Sequence, residues 1–184
     1  MVRWTSASPH DTARLGAALA RLLEPGDVVL LSGPLGAGKT TLVKALVAAL
    51  GGTEEVTSPT FTLLRTYPTA PPVAHVDCWR LEQLHEVLDL GLEEHLDEGG
   101  VALVEWGEAA APRFGEGALT VTLDLPEPDE DGGAPGDGPG TARRIELAGA
   151  GRWTARLAAL AGVAEVVALA EVAGPPDDGK ASPS

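Results

Sequence analysis

Val28-Val29-Leu30-Leu31-Ser32 runs directly into Gly33-Pro34-Leu35-Gly36-Ala37-Gly38-Lys39-Thr40, and Thr41-Leu42-Val43 follows without a gap. The first five residues are a short apolar run, β-branched at its start, which reads as a buried strand. The next eight satisfy G-x-x-x-x-G-K-[ST], the phosphate-binding loop or Walker A pattern, and helical periodicity then predicts a helix over Lys39 to Leu50. Strand, glycine-rich loop and helix occur in the order the chemistry needs. Glycines at 33, 36 and 38 allow a backbone path on which the amides of Gly33, Leu35, Gly36, Ala37 and Gly38 turn inward around phosphate oxygens. The helix N-terminus adds partial positive charge. Lys39 is placed to reach the β- and γ-phosphates, and the Thr40 hydroxyl to ligate Mg²⁺.

The pattern continues on both sides of this unit. A helix is predicted from about Pro9 to Leu23, followed by the turn Glu24-Pro25-Gly26-Asp27. After the loop helix come the irregular Thr57-Ser58-Pro59-Thr60-Phe61-Thr62, the strand VAHVD ending at Asp77, a charged helical region from Glu82 to Glu98, and the strand VALVE ending at Glu105. Nearly continuous apolar strands alternating with helices predict a mostly parallel central sheet covered on both faces, an α/β three-layer sandwich of the P-loop NTPase kind. In such sheets ligands bind at the carboxyl ends of the strands. Asp77 and Glu105 both fall there. Either one can be the acid that holds Mg²⁺, the other then serving hydrolysis. The hydroxyl-rich 57–62 segment is placed to order over a γ-phosphate, and Trp106 to flank a nucleotide or to pack. His75 and His85 lack metal-ligand spacing with any cysteine pair.

Residues 118–125, ALTVTLDL, alternate as a strand does, and residues 142–149, ARRIELAG, do so more weakly. Between them residues 126–140 comprise four Pro, five Gly, five acids and one Ala, a composition that cannot bury apolar area to offset its ordering entropy. A hairpin with a long disordered acidic tip is predicted, rather than a linker to a separate piece. From Gly151 to Ala173 the Ala-rich pattern reads as one or two helices docking back. A single domain over residues 1–173 and a disordered tail over 174–184 follow.

Composition bounds the functions. The 184 residues suit one domain that buries roughly 70% of its unfolded surface. No apolar run reaches the roughly 18 to 20 residues of a spanning helix, and the start has no basic stretch followed by an apolar one. One cysteine, Cys78, rules out an intramolecular disulfide. A cytoplasmic protein without membrane attachment is expected. With 13 basic against 27 acidic residues and a net charge of −14, a broad face for nucleic acid phosphates is excluded, so any such role needs partners.

Taken together, Gly33 to Thr41 (GPLGAGKTT), Ser58 to Thr62 (SPTFT), His75-Val76-Asp77 followed by Arg80-Leu81, and Glu105-Trp106 resemble, in order and approximate spacing, the bacterial TsaE (formerly YjeE) ATPases of tRNA threonylcarbamoyladenosine biosynthesis. The resemblance covers about residues 8 to 125. It implies ATP as ligand with Mg²⁺, and an ATPase that works with the TsaB and TsaD proteins, touching tRNA only through them and not transferring the threonylcarbamoyl group itself. It also implies that Lys39, Thr40 and Thr41 hold phosphates and Mg²⁺, that Thr60 and Thr62 belong to a switch-like loop, that Asp77 and Glu105 serve metal and hydrolysis, and that Trp106 lies near the nucleotide. Two departures bear on packing or partner contacts: the family commonly has an acid at Pro34 and Leu-Tyr at Cys78-Trp79. The competing functions are a small-molecule or nucleoside kinase, for which Arg152 and Arg156 share a helical face and could form a cationic lid, and a nucleotide-dependent binding module without turnover.

Overall fold

The computed structural model describes residues 1–81, 84–125 and 142–161. The expected flexible loop at 126–140, the tail at 174–184 and the second half of the Ala-rich segment lie outside the described residues. Seven strands form one sheet in the order β1-β7-β6-β2-β5-β4-β3: β1 (Val2–Ser6), β2 (Val28–Ser32), β3 (Leu64–Tyr67), β4 (Val73–Asp77), β5 (Val101–Glu105), β6 (Leu119–Asp124) and β7 (Arg143–Ala148). The central β6, β2, β5 and β4 pair in parallel. Antiparallel β7 and β3 flank them, and β1 pairs antiparallel with β7. Five of the seven strands therefore run the same way, as expected for the α/β class.

The central strands are continuously apolar because both of their faces are covered. Successive residues alternate sides: Val29 and Leu31 join Val101 and Leu103 in one core layer, while Val28 and Leu30 join Ala102 and Val104 in the other. The first layer is closed by α1 (Pro9–Ala20), α2 (Lys39–Ala49) and the C-terminal helical run at 152–161, which contributes the fully buried Trp153. The second is closed by α3 (Leu84–Leu88), α4 (Leu92–Asp97) and the short α5 (Ala111–Phe114). Three layers result.

Local chemistry sets the element ends. Ser8 caps α1 by accepting from Asp11 N–H at 3.2 Å, Asp11 reaches back to the amide of Ala7 at 3.1 Å, and Pro9 occupies the first turn where no donor is needed. The hairpin of β6 and β7 forms as expected, Leu123 opposite Ile145. Three features differ from the sequence reading. β1 is an edge strand whose exposed Arg3 and half-buried Trp4 give little apolar signal. β3 is a four-residue strand on the other edge, with one buried side chain, Tyr67. The expected helical region at Glu82 to Glu98 is two short helices, because the chain turns at Gly91 with φ 72°. No described helix is long and apolar enough to cross a membrane.

Candidate functional site

The loop after β2 is held tightly from below. Gly33 has φ 135°, and a Cβ there would stand 2.1 Å from the Leu123 carbonyl oxygen of β6, so only glycine fits. Ala37 is fully buried beneath the loop, while Leu35 projects from its tip, 79% exposed. Gly38, at φ 102°, is the N-cap of α2 and offers no side-chain cap, so the first amides of α2 keep their donors for a ligand. Lys39 is buried although charged. Its Nζ donates to the carbonyls of Gly33 at 2.6 Å and Pro34 at 2.9 Å, and lies 3.7 Å from the centre of the Trp106 ring. Burial pushes the Lys39 pKa down, opposed in part by the negative charges of Glu105, Glu108 and Asp77.

Parallel pairing brings the two strand-end acids together. Asp77 and Glu105 are register partners at the ends of β4 and β5, and β5 adjoins β2. Their side chains have different neighbours. Thr40 Oγ1 donates to Glu105 at 2.7 Å (Oε1) and 3.0 Å (Oε2). Asp77 Oδ2 accepts from Ser58 at 2.6 Å and Thr60 at 2.7 Å, and Oδ1 from the amide of Trp79 at 2.9 Å. Burial raises the Asp77 pKa, but these three hydrogen bonds to the charged form, with a smaller electrostatic contribution from His75, outweigh it and hold the carboxyl below its ordinary range. Glu105 is thus coupled to the phosphate loop, and Asp77 to the hydroxyl-rich segment.

Trp79 and Trp106 form an aromatic wall, ring centres 4.3 Å apart and planes at 55°. Trp106 adopts φ 56°, in the left-handed region unusual for a bulky residue. The resulting cleft has a volume of about 380 Å³, within the range of small-ligand sites. Of the residues named from sequence, Leu35, Gly36, Gly38, Lys39, Thr40, Thr41, Thr60, Asp77, Glu105 and Trp106 line it, together with Ser58 and Trp79. Gly33 and Ala37 support the loop without facing the cleft. Thr62 lines a separate hollow with Pro59, Phe61 and Arg65. Trp79 and His75 were not singled out as site residues. The signal for His75 was available, since it shares a strand face with Asp77 two residues later.

A wider cleft of about 600 Å³, lined in part by Gly26, Glu93, Arg113 and Arg152, opens where β2 begins, at the far end of that strand from the phosphate loop. The two arginines considered for a lid are engaged there. Arg156 meets the buried Asp27 at 2.6 Å and also Glu24, and Arg152 reaches Asp27 at 3.3 Å. They tie the C-terminal helix to the sheet and do not approach Lys39.

Comparison with known proteins gives the family and the fold. A family profile described as "Threonylcarbamoyl adenosine biosynthesis protein TsaE" matches residues 6–131. Two relatives are each called "tRNA threonylcarbamoyladenosine biosynthesis protein TsaE". That of Treponema pallidum is 46% identical over 122 residues, covering 66% of this chain and 90% of its own. That of Streptomyces coelicolor is 43% identical over 154 residues, covering 80% and 98%. The crystal structure of Bacillus subtilis YdiB superposes with a TM-score of 0.68 at 28% identity, covering 86% of this chain and 93% of that one. A Walker A loop, Ser58 and Thr60 of SPTFT and the two strand-end acids thus line one cleft in a fold shared with a solved relative, and the chain belongs to the TsaE family.

Proposed function

We propose that this protein binds Mg-ATP in the cleft beside Lys39 and hydrolyses it in support of tRNA N6-threonylcarbamoyladenosine biosynthesis, acting with TsaB and TsaD and not transferring the group itself. The observation that carries the reading is the contact between Thr40 and Glu105 at the uncapped start of α2. A hydroxyl and a carboxylate beside a ring of amides are hard oxygen donors of the type Mg²⁺ takes, so the residues present fit the ion. Thr40 can offer a lone pair to the metal while its O–H still donates to Glu105. When bound, Mg²⁺ supplies charge neutralisation of the β- and γ-phosphate oxygens.

The chain's own groups do the rest. Lys39 exchanges two neutral carbonyls for anionic phosphate oxygens, which are stronger acceptors. Glu105 orients water at the γ-phosphate, and Asp77 keeps Ser58 and Thr60 over that end of the cleft. Thr41 and Trp106 bound the ligand on two sides. The pathway follows from the family and from the names its relatives carry, and the partners from the family resemblance. A net charge of −14 supports contact with tRNA only through the partners, and the tRNA-modification pathway is the ground for the cytoplasm as the site of action. A kinase needs a cationic lid over the phosphates, and Arg152 and Arg156 are bound elsewhere.

The test is phosphate release from ATP by the purified protein, alone and with the TsaB–TsaD complex. Release stimulated by the complex and abolished by Lys39→Ala is expected. Unchanged ATP affinity and hydrolysis in that variant would sink the site assignment, and a phosphorylated acceptor in place of free phosphate would favour the kinase. Glu105→Ala is expected to bind ATP while losing roughly 10²-fold or more in turnover. Undiminished release would transfer the water-orienting role to Asp77.

A further inference from the structure

His75 is a fully buried histidine on β4 with, among the described residues, a single polar contact, its Nε2 lying 2.9 Å from Glu105 Oε1. A carboxylate only accepts, so Nε2 carries the hydrogen and donates it. The other ring nitrogen, Nδ1, has no hydrogen-bond partner among the described residues. A side chain kept for packing alone would be served as well by leucine, which has no ring nitrogen to satisfy. The contact falls on an oxygen that is already used. Oε1 also accepts from Thr40 at 2.7 Å, whereas Oε2 shares only the longer 3.0 Å contact with that hydroxyl.

We infer that His75 is a positioning residue for Glu105: by saturating Oε1 it holds the carboxylate against Thr40 and leaves Oε2 as the oxygen that faces the ligand side of the cleft. A glutamate has two flexible torsions beyond Cβ, and one hydroxyl does not fix the roll of its carboxylate plane. A second donor from the neighbouring strand does, because β4 and β5 are locked in register with His75 opposite Leu103 and Asp77 opposite Glu105. The kinetic side of this inference rests on the ATPase reading. The contact itself does not.

Two measurements on the full chain test it. Long-range ¹H–¹⁵N correlation of the imidazoles, with His75→Gln for assignment, is expected to show His75 in the Nε2–H form. The Nδ1–H form would overturn the inference whatever the turnover. In steady-state phosphate release, His75→Leu is expected to lower kcat by at least about tenfold with KM for Mg-ATP within about threefold of wild type. His75→Gln, whose amide nitrogen can take the place of Nε2, is expected to recover kcat to within about threefold. Wild-type kcat in a folded His75→Leu, or a His75→Gln that melts like wild type yet is as slow as His75→Leu, would overturn the inference. If His75→Leu does not fold, the tautomer and the His75→Gln kinetics decide. Wild-type release that needs Lys39 but ignores His75 defeats this inference alone. No release from wild type defeats the ATPase reading and the kinetic role with it, leaving the contact to be judged by the tautomer.

Discussion

Asp77 is the residue through which the hydroxyl-rich segment is fastened to the sheet, and Asp77→Asn measures that fastening. In the native protein one buried carboxylate accepts three hydrogen bonds, from Ser58, Thr60 and the Trp79 amide. Hydrogen bonds to a charged group contribute roughly 1.5 to 3 kcal/mol each and neutral ones about 0.5 to 1.5, so turning three of the first kind into the second, with the Asn Nδ2 donating to the Ser58 and Thr60 hydroxyls where Oδ2 accepted from them, removes on the order of 3 to 4 kcal/mol. Part returns because a neutral amide is less costly to bury than a carboxylate. A net loss of about 2 kcal/mol at pH 7 is expected from urea unfolding. Because the folded pKa lies below the ordinary 3.8, this contribution is fully present above the unfolded value and disappears as pH falls through the folded one. The gap between wild type and Asp77→Asn therefore stays constant from about pH 7 to pH 5 and closes only below 3.8. Ser58→Ala completes a double-mutant cycle with a coupling of about 1 kcal/mol, since in the Asn background the serine loses only a neutral bond. Additivity within about 0.3 kcal/mol, or a gap that widens on acidification, would refute the assignment.

Three other outcomes are expected. Gly33→Ala should destabilise the fold by about 3 kcal/mol, because the new Cβ meets the Leu123 carbonyl and the backbone has positive φ; a thermal melt at the wild-type temperature would contradict the packing described. Arg156→Ala should cost about 2 to 3 kcal/mol by stripping the buried Asp27 of its nearest guanidinium, and since that clasp lies away from the phosphate loop, ATP affinity measured by calorimetry should not change. Burial together with the negative charges of Asp77 and Glu108 pushes the Cys78 thiol up to about 12, so it should react with a disulfide reagent at pH 8 only at the rate of unfolding; rapid labelling of the native protein would place it at the surface.

The legible parts of this fold share one property: their sequence signal is local. The step from β2 through Gly33–Gly38 into α2 is written in consecutive residues, as are the apolar strands ending at Asp77 and Glu105. Edge strands carry a weaker signal because only one face is buried. β1 alternates Val2 and Trp4 with the exposed Arg3, and β3 needs the partner β4 to be recognised. The break at Gly91 was hidden inside a stretch whose charges and leucines fit one helix as well as two.

The sequence by itself determined that this is a P-loop protein of the α/β class, which residues line the loop, and that two acids end neighbouring kinds of strand, because these depend on residue type and spacing along the chain. Pairing decided the rest. The parallel register of β2, β5 and β4 set Glu105 beside Thr40 and His75, while tertiary packing of a loop and of the C-terminal helix gave Asp77 to Ser58 and Thr60 and carried Arg152 and Arg156 to Asp27 at the other end of β2. Those contacts join residues separated by 17 to 129 positions. A hydrogen bond is set by distance in space, and local periodicity carries no information about which strand will lie beside which.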